Sequence, residues 1–128
     1  MLKVMLVDDS RTIRSLGTEI LERLGCQVLP STDGFHCIAH ALDFKPDLFL
    51  IDVVMPRLNG YQTVQLIRQK PEFKGTPLIM LSSRDGIFDI ARGKSAGATD
   101  YITKPFSEDD IRKALAFCAK SARGLVNE

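Results

Sequence analysis

The stretch LFLIDVVMPRLNG, residues 48–60, contains a strand pattern that ends abruptly in an acid. Residues 48–51 form a continuous apolar run, which is typical of a strand buried on both faces of a parallel sheet. The run ends at Asp52, and apolar side chains resume at Val53. Because an unpaired carboxylate is expensive to bury, Asp52 is expected to have a partner or a chemical role.

Runs rich in Val, Ile and Leu recur along the chain and predict five strands, over residues 3–7, 27–30, 48–51, 78–81 and 101–103. Between these runs, apolar residues follow the three-and-four spacing of a helix face, as Ile13, Leu16 and Ile20 do. Strands that alternate with helices predict an α/β fold. Right-handed crossovers then place the helices on both faces of a parallel sheet.

Residues that start and stop helices support this division. Ser10 precedes the first helical segment, and the pair Ser107 and Asp110 resembles a capping box. Gly25, Pro71 and Gly97 each follow a helical segment. We therefore expect a βα unit repeated five times.

The composition is that of one ordinary globular domain. The chain has 128 residues, 45% of them hydrophobic and 26% charged, with a formal net charge of +1. We expect a single domain over residues 1–128, since that length suffices for a core. The balanced charge gives no field to attract nucleic acid or an anionic membrane. The odd number of cysteines, Cys26, Cys37 and Cys118, and the lack of a secretory leader predict buried thiols and a cytoplasmic protein without membrane insertion.

Polar residues follow four of the predicted strands. Asp8 and Asp9 follow the first, Asp52 the third, Ser82 the fourth and Lys104 the fifth. The carboxyl ends of parallel strands meet at one edge of the sheet, so these side chains are expected to converge. Three carboxylates raise one another's pKa unless a cation lies among them. Because only oxygen ligands are on offer, that cation is expected to be Mg²⁺, or Mn²⁺, rather than Zn²⁺.

A magnesium site of this kind indicates phosphoryl chemistry, since Mg²⁺ usually binds phosphate oxygens beside one or two carboxylates. Asp52 is interpreted as a nucleophile that takes a phosphoryl group while the metal neutralises the developing charge. Lys104 would supply a balancing positive charge, and Ser82 a hydroxyl that bonds a phosphoryl oxygen.

Four motifs together resemble the receiver domain of two-component response regulators, the CheY-like family, over essentially the whole chain. They are VDDSRTIR (7–14), LIDVVMPRLNG (50–60), IMLSSRDG (79–86) and SAGATDYITKPF (95–106). The resemblance implies a flavodoxin-like (βα)5 fold with a five-stranded parallel sheet of order 2-1-3-4-5. It also implies that the chain is a receiver with no output domain.

The resemblance assigns roles to the acidic residues. Asp52 matches the phosphoacceptor of the family, and Asp8 with Asp9 matches the acidic pair that holds magnesium. Asp52 and the backbone carbonyl of Val54 complete the implied metal ligands. Lys104 matches the invariant lysine of the family, so it joins Asp52 and Ser82 as a catalytic residue.

Further roles follow from the same resemblance. Ser82 matches the hydroxyl switch residue and Tyr101 the aromatic switch residue. The Lys104–Pro105 bond matches one that is typically cis in the family, and an X-Pro bond adopts cis at little cost. Val54 and Arg84 stand where the family tunes the lifetime of the phosphoryl group. Val54 cannot hydrogen-bond an attacking water, which predicts slow self-dephosphorylation.

A narrower resemblance points to a biological process. The segments GYQTVQLIR (60–68) and FKGTPLIMLSSRDGIFDIARG (73–93) resemble stand-alone receivers of chemosensory systems that control type IV pili and twitching motility. This implies two partners: a histidine kinase or its phosphotransfer domain as donor, and an effector protein associated with the pilus motor. The chain is then a switch that takes and loses a phosphoryl group, and not a metabolic enzyme.

Three alternative functions compete with this switch. A phosphate sink or phosphorelay intermediate would have the same sequence features. A haloacid-dehalogenase-type aspartyl phosphatase needs a second acid two residues after its nucleophile, where this chain has Val54. A flavodoxin-like electron carrier binds a flavin phosphate in the loop after the first strand, where Asp8 and Asp9 would repel it.

Overall fold

The fold alternates strands with helices in the computed structural model, which describes residues 1–83 and 87–122 apart from the side chains at 87–89 and 121–122. The strands are β1 (Lys3–Val7), β2 (Gln27–Ser31), β3 (Leu48–Asp52), β4 (Leu78–Ser82) and β5 (Asp100–Thr103). The helices are α1 (Arg11–Arg23), α2 (Gly34–Phe44), α3 (Gly60–Arg68), α4 (Ile87–Ala96) and α5 (Glu108–Ala122). A short 3-10 helix, Pro71–Phe73, precedes β4. The predicted βα repeat is confirmed.

The sheet is parallel throughout and has the order β2-β1-β3-β4-β5, which confirms the predicted order. Val7 at the end of β1 lies opposite Ile51 of β3, and Ser82 at the end of β4 lies opposite Thr103 of β5. Asp52 is the last residue of β3. The residues that end or follow these strands therefore emerge at one edge of the sheet.

Apolar side chains of the central strands fill both faces of the sheet. On one face, Met5, Phe49 and Met80 pack with residues of α2, α3 and α4. On the other face, Leu6 and Leu50 pack with residues of α1 and α5. Every residue of β3 and β4 is buried, which explains why these strands are continuous apolar runs in the sequence.

The helix ends follow the signals seen in the sequence. Ser10 accepts a backbone hydrogen bond at the start of α1. Ser107 and Asp110 exchange the two reciprocal hydrogen bonds of a capping box before α5. Gly25 and Gly97 lie just after α1 and α4 with φ angles of 90° and 120°, in the left-handed region that favours glycine.

Arg68, the last residue of α3, joins three separate connections of the chain. Its Nη1 donates to the carbonyl oxygens of Phe73 and Thr76, both at 2.6 Å. Its Nε donates to the carbonyl oxygen of Gly97 at 2.8 Å, and its Nη2 donates to Thr99 Oγ1 at 3.2 Å. These charge-assisted hydrogen bonds fix the carboxyl end of α4 to α3 and to the loop that enters β4.

The sequence led to two further expectations, that the cysteines are buried thiols and that the chain does not insert into a membrane. The three cysteines are free and buried, and burial raises the pKa of Cys37 to about 12 and that of Cys118 to about 11. Their thiols are therefore inert at neutral pH. In the described part of the chain, no helix combines the length and the apolar character needed to cross a bilayer.

Candidate functional site

Three acids converge where β1 and β3 end. Asp8 and Asp9 directly follow β1, and Asp52 is the last residue of β3. One carboxylate oxygen from each of the three lies within 4.8 Å of the other two. Asp8 and Asp52 are buried, with exposed fractions of 0% and 4%, whereas Asp9 is exposed. The cluster is thus closed toward the core and open to solvent beside Asp9.

Lys104 brings a positive charge to this cluster from the end of β5. Its Nζ donates to Asp8 Oδ2 at 3.0 Å and forms an ion pair with Asp52 Oδ1 at 2.8 Å. Its backbone N–H donates to the carbonyl oxygen of Ser82 at 2.6 Å, which extends the pairing of β4 and β5 past the strand end. The Lys104–Pro105 peptide bond is cis. Lys104 therefore bridges the two buried acids.

The electrostatic surroundings of Asp52 disfavour the ionised form of its carboxyl group. Burial raises the pKa of Asp52, the hydrogen bond from Lys104 lowers it, and the charges of Asp8 and Asp9 raise it further, with a net increase. Burial alone would lower the pKa of Lys104, but hydrogen bonds to Asp52 and Asp8 outweigh burial and raise it. Lys104 is thus held as a cation, and it offsets only part of the negative charge of three acids.

The donor set suits a hard divalent cation. The three acids offer carboxylate oxygens only, and no Cys or His belongs to the group. Oxygen ligands with an open, solvent-facing side match magnesium, which keeps several waters when it binds to proteins. A divalent cation there would supply the positive charge that Lys104 alone does not.

A close backbone approach holds the loop after β3 in place. Gly60 is the first residue of α3, and its N–H donates to the carbonyl oxygen of Val53 at 2.9 Å. A Cβ atom at Gly60 would overlap the carbonyl oxygen of Asp52 and lie 2.8 Å from Val53 Cα. Glycine alone allows this approach. In the sequence, the Asn59-Gly60 pair signals a turn but says nothing of contact with Asp52.

The two residues matched to switches lie on neighbouring strands. Ser82 ends β4 with an exposed fraction of 3%, at the same edge of the sheet as Asp52. Tyr101 lies on β5 opposite Met80 and packs, partly buried, against the core on the face of α2, α3 and α4. Arg84, matched to a position that tunes phosphoryl lifetime, falls outside the described residues.

A cavity of about 280 Å³ opens beside Ser82, between the loop after β3 and α4. It is lined by Val53, Val54, Met55, Asn59, Tyr61, Ser82, Ser83 and Arg92. Val54 is 72% exposed at this cavity, while Arg92 lies over the ring of Tyr61. Sequence analysis identified neither Tyr61 nor Arg92, since one belongs to α3, the other to α4, and no local pattern links them.

Asp52→Asn is expected to raise the free energy of unfolding near neutral pH when no divalent cation is present. A carboxyl whose pKa is raised by folding is destabilising when ionised, because the folded state binds the proton more tightly than the unfolded state. The gain in the free energy of unfolding should therefore appear as the pH rises above 3.8, the ordinary pKa of Asp. It should be complete above the pKa of Asp52 in the folded state. Urea unfolding in EDTA at several pH values measures it.

Asp43→Asn is the matched control for this change, since Asp43 is an exposed acid on α2. It removes the same formal charge away from the cluster and should leave stability nearly unchanged. If Asp52→Asn were less stable than the wild-type chain near neutral pH, or if its gain grew toward acid pH, the electrostatic account of Asp52 would be wrong.

Comparison with known proteins agrees with this fold. Residues 4–116 match the response regulator receiver domain family. Protein PilG of Pseudomonas aeruginosa is 47% identical over 114 residues, which cover 89% of this chain and 84% of PilG. The chain therefore belongs to the response regulator receiver domain family.

Solved structures give the same result. The chemotaxis protein CheY4 of Vibrio cholerae superposes with a TM-score of 0.89 at 33% identity, covering 92% of this chain and 98% of CheY4. The receiver domain of the sensor histidine kinase PA1611 from Pseudomonas aeruginosa superposes with a TM-score of 0.84 at 26% identity, covering 92% of this chain and 98% of that one. That structure holds a magnesium ion in its active site cleft.

Proposed function

We propose that this receiver is a phosphorylation-activated switch in which Asp52 accepts a phosphoryl group from a histidine kinase. The observation that carries the proposal is the bridge from Lys104 to both Asp52 and Asp8 within a cluster of three acids at the carboxyl ends of the strands. A buried carboxylate with a raised pKa, beside two other acids, is costly to keep for structure alone. Receivers in general take phosphoryl groups from histidine kinases, and this site has the groups that such a transfer requires.

Each group at the site has a role in the transfer. A carboxylate oxygen of Asp52 attacks the phosphorus of the donor, and the donor's leaving atom departs with the bonding electron pair. Asp8, Asp9, Asp52 and the backbone carbonyl of Val54 would hold Mg²⁺, which when bound neutralises charge on the phosphoryl oxygens. Lys104 holds Asp52 in position by their ion pair.

Phosphorylation then changes the surface of the protein through Ser82 and Tyr101. A phosphoryl group adds a charge of about −1.5 to −2 at neutral pH. The Ser82 hydroxyl, at the same edge of the sheet, moves toward the new oxygens and donates a hydrogen bond, and Tyr101 turns inward behind it. The surface of α4, β5 and α5 changes with Tyr101, and a partner protein binds the new surface.

The biological role that we propose is control of type IV pilus twitching motility, through a single domain over residues 1–128 that signals by protein–protein contact. Its support is the 47% identity to PilG together with the resemblance of residues 60–68 and 73–93 to stand-alone pilus receivers. The partner would be an effector protein associated with the pilus motor. A phosphatase function is not favoured, because Val54 places an exposed aliphatic side chain where such an enzyme needs a second acid.

Incubation with acetyl phosphate and Mg²⁺ is expected to add one phosphoryl group to the wild-type chain, as measured by intact mass. Asp52→Asn should take up none, because the amide lacks the nucleophilic carboxylate. Omission of Mg²⁺ with EDTA should prevent the addition to wild type. Circular dichroism checks that the variant is folded. A phosphoryl group added to Asp52→Asn, or added equally well in EDTA, would contradict the proposal.

A further inference from the structure

The cavity beside Ser82 adjoins the site of the proposed phosphotransfer. Val54 follows Asp52 by two residues, and both Val54 and Ser82 line the cavity. Ser82 ends β4 at the same edge of the sheet as Asp52. A leaving group departs from the side of phosphorus opposite Asp52, so a cavity that borders both Val54 and Ser82 is positioned to receive it.

Arg92 is the only charged residue among the described residues that line this cavity. The other described lining residues are apolar or carry hydroxyl, amide or phenol groups, and Asp8, Asp9 and Asp52 are not among them. An anion that enters the cavity therefore meets one cation from the protein in the described part of the wall. This is the observation that gives the cavity a chemical preference.

Arg92 contacts the ring of Tyr61. The guanidinium carbon of Arg92 lies 4.2 Å from the centroid of the Tyr61 ring, well within the range of a cation–π contact. Tyr61 is itself 5% exposed and part of the core on that face. The N–H groups of a guanidinium lie in its own plane and point outward from its carbon, so a contact of that carbon with a ring leaves N–H groups to bond elsewhere. Arg92 can therefore donate to a ligand in the cavity while it stays on Tyr61.

We propose that Arg92, held on Tyr61, forms a binding site for the carboxylate leaving group of small acyl phosphates. The inference rests on the proposed phosphotransfer to Asp52 and names a donor class for it. A carboxylate matches a guanidinium in charge and in paired hydrogen-bond geometry. Arg92 is thus a specificity-determining residue for small donors, and its contribution is separate from that of Lys104.

The two kinds of donor differ in the charge of their leaving groups. With acetyl phosphate, an Asp52 oxygen bonds to phosphorus, the bond from phosphorus to the bridging oxygen breaks, and acetate leaves with the electron pair and a full negative charge. With phosphoramidate protonated on nitrogen, the phosphorus–nitrogen bond breaks and ammonia leaves uncharged. Negative charge develops at the leaving group only with the acyl phosphate, so only that transfer is stabilised by Arg92.

The test compares two donors on the same proteins. Initial rates of phosphoryl addition are measured by intact mass with acetyl phosphate and with phosphoramidate, at saturating Mg²⁺, for wild type and Arg92→Gln. The acetyl phosphate rate should fall roughly fivefold, the size expected for loss of one solvent-accessible charge-assisted contact. The phosphoramidate rate should stay within experimental error of wild type. Lys94→Gln, which removes an exposed charge from the same helix outside the cavity wall, should change neither rate.

The ratio of the two rates also tests the role of Tyr61. Tyr61→Leu removes the ring below Arg92 and should lower the ratio of acetyl phosphate to phosphoramidate rates in the same direction as Arg92→Gln. Because the ratio is measured within one protein, partial unfolding of that variant does not alter it.

The outcomes separate this inference from the proposed function. Equal loss with both donors, or no loss with either, would overturn the assignment of Arg92 while leaving Asp52 as the phosphoacceptor. Equal effects of Lys94→Gln and Arg92→Gln would also overturn it, since net charge alone would then explain the rates. If neither donor labels the wild-type chain, the proposed function itself fails, and the leaving-group site fails with it.

Discussion

Gly60→Ala is expected to lower the free energy of unfolding by about 3 kcal/mol, the upper part of the range for overpacking a close contact. The added methyl group would overlap the carbonyl oxygen of Asp52 and crowd Val53 Cα at 2.8 Å. Both neighbours are backbone atoms, so no side chain can rotate out of the way. Relief requires the loop after β3 to move, and that movement displaces Asp52 itself.

Gly75→Ala is the matched control, because a Cβ atom at Gly75 meets nothing within 4 Å. Urea unfolding of both variants measures the difference, and Gly75→Ala should stay within about 0.5 kcal/mol of wild type. Gly60→Ala should also weaken the effect of Mg²⁺ on stability, since one ligand carboxylate has moved. Equal stability of the two variants would show that the contact at Gly60 relaxes freely, contrary to this account.

Lys104→Met is expected to cost about 3 kcal/mol in EDTA near neutral pH, the lower end of the range for breaking a buried ion pair. The substitution leaves Asp8 and Asp52 with side-chain exposures of 1% and 6% and without their shared cation. We choose the lower end because the cluster is open to solvent on the side of Asp9. Methionine keeps most of the length of the lysine side chain, so the loss is one of charge and hydrogen bonds more than of packing.

The response of Lys104→Met to pH and metal distinguishes electrostatics from packing. Protonation of Asp52 at acid pH removes one of the stranded charges, so the loss of stability should shrink as the pH falls. Mg²⁺ should recover part of it, because the cation binds only the folded cluster. Lys113→Met serves as control, since the pair of Lys113 and Asp109 is 77% and 71% exposed and its loss should be small. A deficit in Lys104→Met that is independent of both pH and Mg²⁺ would indicate a packing defect.

The sequence was sufficient to predict the sheet and the convergence of the acids. Continuous apolar runs at β3 and β4 signalled burial on both faces, and the rule that strand ends share an edge brought Asp8, Asp52 and Lys104 together. The strand order came from the resemblance to known receivers, because periodicity alone does not say which strands are neighbours. Four of the predicted strands were short by one residue, at Ser31, Asp52, Ser82 and Asp100, where a polar side chain continues the pairing.

Other parts of the site could not be predicted from local patterns. The cation–π contact of Arg92 with Tyr61 joins two helices, and each residue taken alone is an ordinary helix position. Likewise, the overlap that excludes a side chain at Gly60 depends on where the backbone of Asp52 passes in three dimensions. Such contacts are set by the packing of helices onto the finished sheet, so they become visible only with coordinates.

The hydrogen bonds of Arg68 have a mechanical consequence for α4. They attach the residue just after this helix to α3 and to the loop before β4, so the carboxyl end of α4 is the more restrained end. This ten-residue helix is about 15 Å long. With one end pinned at Gly97, a tilt of a few degrees shifts the far end, which follows the loop after β4, by about an ångström. If a change beside Ser82 moves α4, we therefore expect the helix to rotate about Gly97 and not to slide as a whole.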